Sequence, residues 1–283
     1  MKKILLIALL LSTMTGIAAI SPQEKQALIK LHQSTAGKQW TNKWNLDSPV
    51  DQWYGVKIEN DKVVGLELQN NNLQGALPRE IGNLTSLRQL NLFRNSISGT
   101  IPASISNLKS LQSLNLSFNK LSGNIPSSIG EMAALQSVEL YMNRLSGEIT
   151  TELGKLSQLQ TLSLFNNELE GELPQSLYGL KNLKVLLLSS NKLTGKLSME
   201  VANLTSLENL SLFENNMDGQ VPFDLEKLRN LKEMNISYNK FNGLVSRHLA
   251  QLDMLNMTMI NDKGVATTLK VDMNRNSALA SDE

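Results

Sequence analysis

The chain contains no cysteine and only two histidines, His32 and His248, which stand near its opposite ends. Without thiols there is no disulfide framework and no thiolate nucleophile. With so few imidazoles, neither a histidine-based triad nor a His/Cys metal cluster can be assembled. Aromatic residues make up 5% of the 283 residues, and prolines number seven. Charge of one sign is missing too: 27 basic against 26 acidic residues give +1, which removes the electrostatic case for a nucleic-acid partner. Beyond the first twenty residues no apolar run is long enough to span a membrane.

What the chain has in quantity is leucine at a fixed interval. A block of 24 residues recurs eight times, beginning at Val63, Leu87, Leu111, Leu135, Leu159, Leu183, Leu207 and Leu231. Counted from the start of each block, leucine or a close relative fills positions 1, 4 and 6, asparagine 9, an aliphatic residue 11 and glycine 13. Ile-Pro or a variant follows. The second copy shows the pattern in full as Leu87, Leu90, Leu92, Asn95, Ile97, Gly99, Ile101 and Pro102. A period of this length reads as a stacked solenoid whose core grows along one axis.

The pattern resembles the leucine-rich repeat family, and its Gly-x-Ile-Pro ending is similar to the plant-receptor-type class; the resemblance spans roughly two thirds of the chain. It implies an α/β solenoid: a right-handed superhelix with a parallel β-sheet on its concave face and an N-terminal cap of helix plus hairpin. Asp51, Trp53, Gly55, Val56 and Ile58 fall in the slots of the family's Cys-x-Trp-x-Gly-Val-x-Cys cap, with Asp51 and Ile58 where the thiols stand. A thiol-free cap behind a short Lys-Lys opening resembles bacterial secreted members, in which packing must replace the bridge.

Met1-Lys2-Lys3, the apolar run Ile4 to Leu11 and the small residues Gly16, Ala18 and Ala19 read as a signal peptide over 1–19. The alternative is a retained anchor reaching Ile20, although Ser12, Thr13, Thr15 and Gly16 interrupt it. Cleavage removes Lys2 and Lys3 and leaves 25 basic against 26 acidic residues, a net charge of −1. The N-terminal cap covers 20–62. Ser21-Pro22-Gln23-Glu24 has the form of a capping box with proline at the first helical position, which predicts a helix over about 22–35. Gly37 stops it, and Trp40, Trp44 and Trp53 lead to a hairpin turning at Asn60-Asp61. The tryptophans read as a cover for the first leucine edge, with sugar binding as the alternative. Eight repeats fill 63–254. A C-terminal cap covers 255–273, after a decaying ninth copy in which Leu249, Leu252 and Leu255 keep the rhythm, and 274–283 reads as a disordered tail.

Within a repeat, positions 4 and 6 point inward from a short strand, so Leu66 to Met234 and Leu68 to Ile236 form two core columns. Positions 19 and 22, such as Ile105 and Leu108, pack back from the outer curve. The ladder Asn71, Asn95, Asn119, Asn143, Asn167, Asn191, Asn215 and Asn239 is expected to satisfy backbone groups that the turn leaves orphaned in its own coil and the next. Glycine at position 13 reads as a positive-φ turn or a close approach of coils. Pro78, Pro102, Pro126, Pro174 and Pro222 stiffen the convex side; Thr150, Ser198 and Ser246 in the same slot predict looser coils.

Positions 3, 5, 7 and 8 are free of the core and form the candidate recognition ladder. The ligand-binding candidates on it are Phe93, Arg94, Phe118, Glu139, Tyr141, Phe165, Phe213, Glu214 and Tyr238, because aromatics anchor recognition surfaces. The competing reading is that the rings stack on one another for structure. Eight strands about 4.8 Å apart give a face of roughly 35 by 17 Å, about 600 Å², close to the roughly 800 Å² of one side of a standard interface.

No catalytic group is expected. The carboxylate pairs Glu139 with Glu168 and Glu214 with Glu233 lie on open surface where nothing raises a pKa. Asp47, Asp51, Glu59 and Asp61 lack the spacing of a calcium loop, so no metal and no cofactor are expected. Triplets for N-glycosylation at Asn83, Asn115, Asn203, Asn209, Asn235 and Asn256 arise largely from the repeat consensus. The resulting reading is a secreted, periplasmic or cell-surface binding protein, monomeric and non-enzymatic, holding a protein, peptide or polysaccharide on its concave face. It has no nucleic-acid partner and no membrane span after signal cleavage. The alternative is an inhibitor or host-receptor-mimicking effector, similar to plant polygalacturonase inhibitors and receptor ectodomains, aimed at one extracellular enzyme or receptor. An ice-binding solenoid would need a regular outer face of Thr or Asn, which Arg144, Glu168, Glu170 and Lys196 break.

Overall fold

The computed structural model describes residues 20–253, 255, 257–261 and 263–272; the signal peptide over 1–19, the tail over 274–283 and Asn256 of the last glycosylation triplet lie outside them. Each 24-residue block forms one coil, numbered here 1 to 8 from Val63. On the concave side, strands hydrogen-bond in chain order from Val56–Glu59 and Lys62–Glu67 through Gln89–Asn91, Ser113–Asn115, Ser137–Glu139, Thr161–Ser163, Val185–Leu187 and Asn209–Ser211 to Glu233–Asn235. The first pair is an antiparallel hairpin, turned by Asn60 and Asp61 at φ 49° and 59°. Later pairs are parallel and in register by one repeat, as in Leu90 opposite Leu114. A shift of one whole repeat per strand keeps like residues in columns. Positions 1, 4, 6, 11, 15, 19 and 22 are therefore buried from coil to coil as a single leucine-rich core.

A second ladder of strands, which the leucine spacing does not announce, runs along the opposite edge of the turn. It comprises Gln74–Ala76, Ser96–Gly99, Lys120–Gly123, Arg144–Glu148, Glu168–Gly171 and Lys192–Leu193. The bridge Lys196–Asp218 and the pair Asp218–Gln220 with Lys240–Asn242 carry it on. Short 3-10 turns such as Ala103–Asn107 complete coils 1 to 7, and the helix Arg247–Leu252 takes their place in coil 8. Five of them start behind proline. The slots without proline are not left bare: the Thr150 and Ser198 hydroxyls accept from the Glu152 and Glu200 backbone N–H groups, and Ser246 accepts from Leu249. A hydroxyl cap replaces the ring at all three sites, so the looser coils expected there are given an equivalent start.

The asparagine ladder closes a gap that backbone pairing leaves. Asn167 is typical: its Nδ2 donates to the Leu140, Leu164 and Phe165 carbonyls at 3.1, 2.9 and 3.4 Å, and its Oδ1 accepts from Leu145 N–H at 3.0 Å. The partner coil is thus the preceding one, not the next as the sequence reading has it. Glycine at position 13 sits at positive φ in all eight coils, and at Gly147 a Cβ would also come within 2.7 Å of the Asn124 side chain on the preceding coil. Both reasons for glycine apply there at once.

At the N-terminus, helix α1, Pro22–Ser34, carries the reciprocal capping box of Ser21 and Glu24. Trp40, Trp44 and Trp53 are 1%, 5% and 2% exposed. Their rings pack in sequence at 4.8 Å, and their indole N–H groups donate to the Thr35, Tyr54 and Ser48 carbonyls. Rings so buried have no face to offer a sugar. His32 packs on Trp40 and Trp44 at 5.2 and 6.1 Å. Burial, and after it the charge of Lys38, lowers its pKa from the ordinary 6.5. At the other end, helix α2, Arg247–Leu252, and Asp253 close the stack. Leu249 is buried and Leu252 packs partly on the core, but Leu255 breaks the leucine rhythm, being 41% exposed. Past α2, Thr258–Ile260 pairs antiparallel with Ala266–Thr268, and Lys270–Asp272 pairs parallel with Leu244–Ser246; neither pair extends the concave sheet.

Four stability outcomes follow from these contacts. In urea unfolding, Asn167→Ala should cost about 1–3 kcal/mol by orphaning buried backbone groups, and Leu164→Ala about 2–5 kcal/mol by leaving a cavity. Asp253→Ala, which removes the carboxylate that accepts from the Ile236 N–H and the Ser237 hydroxyl, should cost about 1–3 kcal/mol, with hydrogen-exchange protection lost first in coil 8. Because the lowered pKa of His32 lets the unfolded chain bind more protons, its contribution is complete above pH 6.5 and is lost as the pH falls through the folded value. Melting followed by tryptophan fluorescence should therefore fall in temperature between about pH 7.5 and about pH 5, and His32→Gln should flatten that slope.

Candidate functional site

The recognition ladder differs in detail from the flat strip that the spacing suggests. Regular strands in coils 2 to 8 cover only positions 3 to 5, as in Ser137–Glu139. Positions 7 and 8 lie in the turn beyond them. Position 8 is left-handed in every coil: Asn70, Arg94, Phe118, Met142, Asn166, Ser190, Glu214 and Tyr238 have φ between 52° and 58°. Non-glycine residues rarely adopt this conformation. It is held by the N–H of each, which in coils 1 to 7 donates to the position-7 carbonyl of the following coil, as from Arg94 to Ser117 and from Phe118 to Tyr141, and in coil 8 passes from Tyr238 to the Thr258 carbonyl. The side chains at position 8 therefore project from the rim of the sheet, not from its face.

Among the candidates, Phe93, Phe118, Tyr141 and Phe165 come together. Phe93 meets Phe118 edge-on at 5.3 Å, Phe118 meets Tyr141 at 5.6 Å, and Tyr141 stacks on Phe165 at 4.4 Å. Phe213 and Tyr238 form a separate edge-on pair at 5.2 Å. Coil 6 interrupts the stripe, with Ser189 and Ser190 in place of rings; their hydroxyls meet Ser211 Oγ and the Glu214 carboxylate, both at 2.6 Å. Phe118 and Tyr238 are 39% and 43% exposed; the other four rings are half-buried. Stacking and exposure thus hold together, and each ring is fixed by a neighbour while presenting an edge or face outward.

The polar candidates are satisfied singly. Glu139 accepts from Asn115 and from the Ser137 hydroxyl, and its charge is one reason the Tyr141 phenol lies above its ordinary pKa; burial is the larger reason, and a contact with Ser117 opposes both. Glu168 pairs with Lys192 on the second ladder at 3.1 Å, away from Glu139, so that carboxylate pair is not assembled. Glu214 and Glu233 have separate partners in Ser190 and Asn209. Arg94 is exposed on the rim. Among the described residues no group of three or more His, Cys, Asp or Glu side chains is placed to hold a metal ion, and no helix is long and apolar enough to cross a membrane.

Three depressions mark the face and its rim. One of about 290 Å³ lies at the N-terminal end between Lys57, Glu59, Arg88 and Gln112, where Arg88 bonds Glu59 at 2.8 Å. One of about 400 Å³ runs along the rim past Phe118, Lys120, Met142 and Arg144. A third, of about 280 Å³, lies at the C-terminal end. Sequence reasoning names some of its residues, Glu233 and Leu252 among them, but does not bring them together. Its only signal there is apolar Val185 and Leu187 at positions that are otherwise polar or glycine. An open surface of stacked rings, amides and single carboxylates can hold a ligand by packing and hydrogen bonding.

Comparison with known proteins agrees with this geometry. A probable inactive receptor kinase of Arabidopsis thaliana is 40% identical over 72 residues, which cover 24% of this chain and 10% of the relative. The ectodomain of the Arabidopsis thaliana receptor kinase GASSHO1/SCHENGEN3, solved in complex with CASPARIAN STRIP INTEGRITY FACTOR 2, is 40% identical with a TM-score of 0.62, covering 63% of this chain and 21% of its own. The plant peptide hormone receptor RGFR1, solved in complex with RGF2, is 31% identical with a TM-score of 0.64, covering 73% and 32%. The chain thus spans a third or less of the length of these relatives. The model of the leucine-rich repeat region matches residues 64–164 and 140–270, the same stretch that builds the coils, and the chain accordingly belongs to the leucine-rich repeat family in its plant-receptor-like form.

Proposed function

We propose that this protein is a non-enzymatic binding module, exported to the cell surface or beyond, that holds a peptide or protein segment along its concave face. The observation that carries the reading is the block Phe93, Phe118, Tyr141 and Phe165, four rings on four consecutive coils packed at 4.4 to 5.6 Å beside a polar strand ladder. Rings fixed by their neighbours lose little conformational freedom on binding, which makes them efficient anchors. The polar positions beside them, Asn91, Asn115 and Ser137 among them, supply donors and acceptors for an extended main chain. Two of the receptors that share this architecture were solved with CASPARIAN STRIP INTEGRITY FACTOR 2 and RGF2 bound, which favours a peptide or protein segment over a polysaccharide.

A displayed random-peptide library and a glycan array, both probed with the purified protein, test the reading. Peptides should be retained. Tyr141→Ala and Phe165→Ala should each weaken them roughly tenfold or more, in line with the loss of an anchor residue. Thermal melts of both variants separate lost binding from lost fold, since a stacked pair contributes only about 0.5–1.5 kcal/mol beyond its burial. Retention of every captured ligand by both variants would remove the aromatic block from the binding surface.

A further inference from the structure

The face is polar where the core does not use it, with one break. In coil 6, Val185 and Leu187 occupy positions 3 and 5, where the other coils carry glycine or polar residues, and both are only half-buried. Leu187 opens onto the cavity of about 280 Å³ at the C-terminal end of the sheet. Leu210 and Met234 form its floor, and Leu252, the last residue of α2, forms a wall that no ordinary coil supplies. At its rim the Glu233 carboxylate accepts one hydrogen bond, from Asn209 Nδ2 at 2.6 Å. Among the described residues Glu233 has no ion-pair partner, whereas the neighbouring Glu208 is held by Lys232.

Resting on the reading of the concave face as a peptide-binding surface, we propose that this cavity is an anchor subsite. It takes a peptide side chain of leucine or methionine size, and the residue next to it is lysine or arginine, whose cation docks on Glu233. Size admits the anchor: at about 280 Å³ the space takes a leucine or methionine side chain with room to spare and lies at the lower edge of the usual range for a whole small-molecule ligand. Chemistry argues for the pairing. Aliphatic surface left in water by Leu187 is covered on binding, and a carboxylate with open lone pairs at the rim favours an incoming ammonium or guanidinium. Lys232 lies beside Glu233 in sequence, but its charge is already engaged by Glu208. The subsite lies apart from the aromatic block, beyond the serine gap of coil 6, so the two are separable by mutation.

Random-peptide selection on the wild-type protein, followed by titration of the enriched peptides against three variants, tests this. Leu187→Asn keeps the strand intact, because Asn91, Asn115 and Asn235 hold the same position in other coils; unchanged circular dichroism and melting check that. Enriched peptides should share an aliphatic residue beside a lysine or arginine. Leu187→Asn and Glu233→Lys should each weaken them about tenfold. A fresh selection on Glu233→Lys should return aspartate or glutamate where wild type chose a base. Peptides that bind wild type, Leu187→Asn and Glu233→Lys alike while losing affinity for Tyr141→Ala would overturn the subsite and leave the concave-face reading in place. Peptides indifferent to all three variants, or no enrichment on wild type, would overturn both.

Discussion

Hydrogen bonding between successive coils is the constraint on which the rest of the structure depends. Apart from its short 3-10 turn, a coil of 24 residues does not pair its own backbone groups, so these must be satisfied by a neighbouring coil or by a side chain. The N–H of position 6 donates to the position-5 carbonyl of the following coil, from Leu68 to Asn91 through Leu212 to Asn235. The N–H of position 8 does the same one step further on. What remains is the position-11 N–H, and there the Oδ1 of the following asparagine accepts at 2.9 to 3.1 Å in seven successive coils. Once those bonds are made the leucines fall into columns, and hydrophobic burial stabilises an arrangement that polar pairing has already aligned.

The same constraint explains the ends. Asn71 has no coil before it, and the Asn42 backbone in the cap takes that place through reciprocal bonds to its amide. Ile236 has no coil after it. Its N–H, which would otherwise meet a position-5 carbonyl, donates to Asp253 Oδ2 at 2.9 Å, and the same carboxylate accepts from Ser237 Oγ and the Leu255 N–H. Glu24 plays a comparable part at the start, accepting from Val63 N–H while closing its capping box with Ser21. Both carboxylates are nearly inaccessible. Burying a charge is costly unless its lone pairs are filled, and here backbone N–H groups and hydroxyls fill them. A neutral amide suffices in the middle of the stack because the neighbouring coil brings its own carbonyls. At a terminus, one side chain must replace several backbone acceptors.

This distinction also separates what the sequence makes legible from what it does not. The columns at positions 4 and 6, the asparagine ladder and the glycines are legible because each recurs at one spacing and each residue type has one physical reason to be there. The second strand ladder is not, since alternating residues such as Lys120, Leu121 and Ser122 look alike whether they form a strand or a turn. Asp253 is not legible either: it occurs once, and nothing in its neighbours marks it as the acceptor for residues 16 and 17 positions upstream. For the candidate site, the list of aromatics could be read directly, but its division into a block of four and a pair depends on ring geometry. The rim placement of Arg94, Phe118, Glu214 and Tyr238 depends on a left-handed backbone that their side-chain types argue against.

Because the spacing fixes the core, variation along the face is free to follow a ligand, and geometry limits how it can do so. Coils advance about 4.8 Å each, while an extended peptide advances about 3.3 Å per residue, so roughly three ligand residues pass for every two coils. A ligand lying along the stack therefore cannot meet identical contacts in each coil, and repeating the same side chain down a column would gain little. Selectivity has to come from a few coils that differ from their neighbours. Coil 6 is the clearest instance: it drops the rings of positions 7 and 8 for Ser189 and Ser190, and it replaces polar strand residues with Val185 and Leu187. The face thereby carries a block of four rings over coils 2 to 5 and, from coil 6 on, an aliphatic cavity edged by Glu233 beside the Phe213–Tyr238 pair, all on one rigid frame. A rigid frame with unlike ends would fix the direction of a peptide bound as proposed, because reversing it would take its cation away from Glu233 and set its aliphatic anchor against the polar ladder.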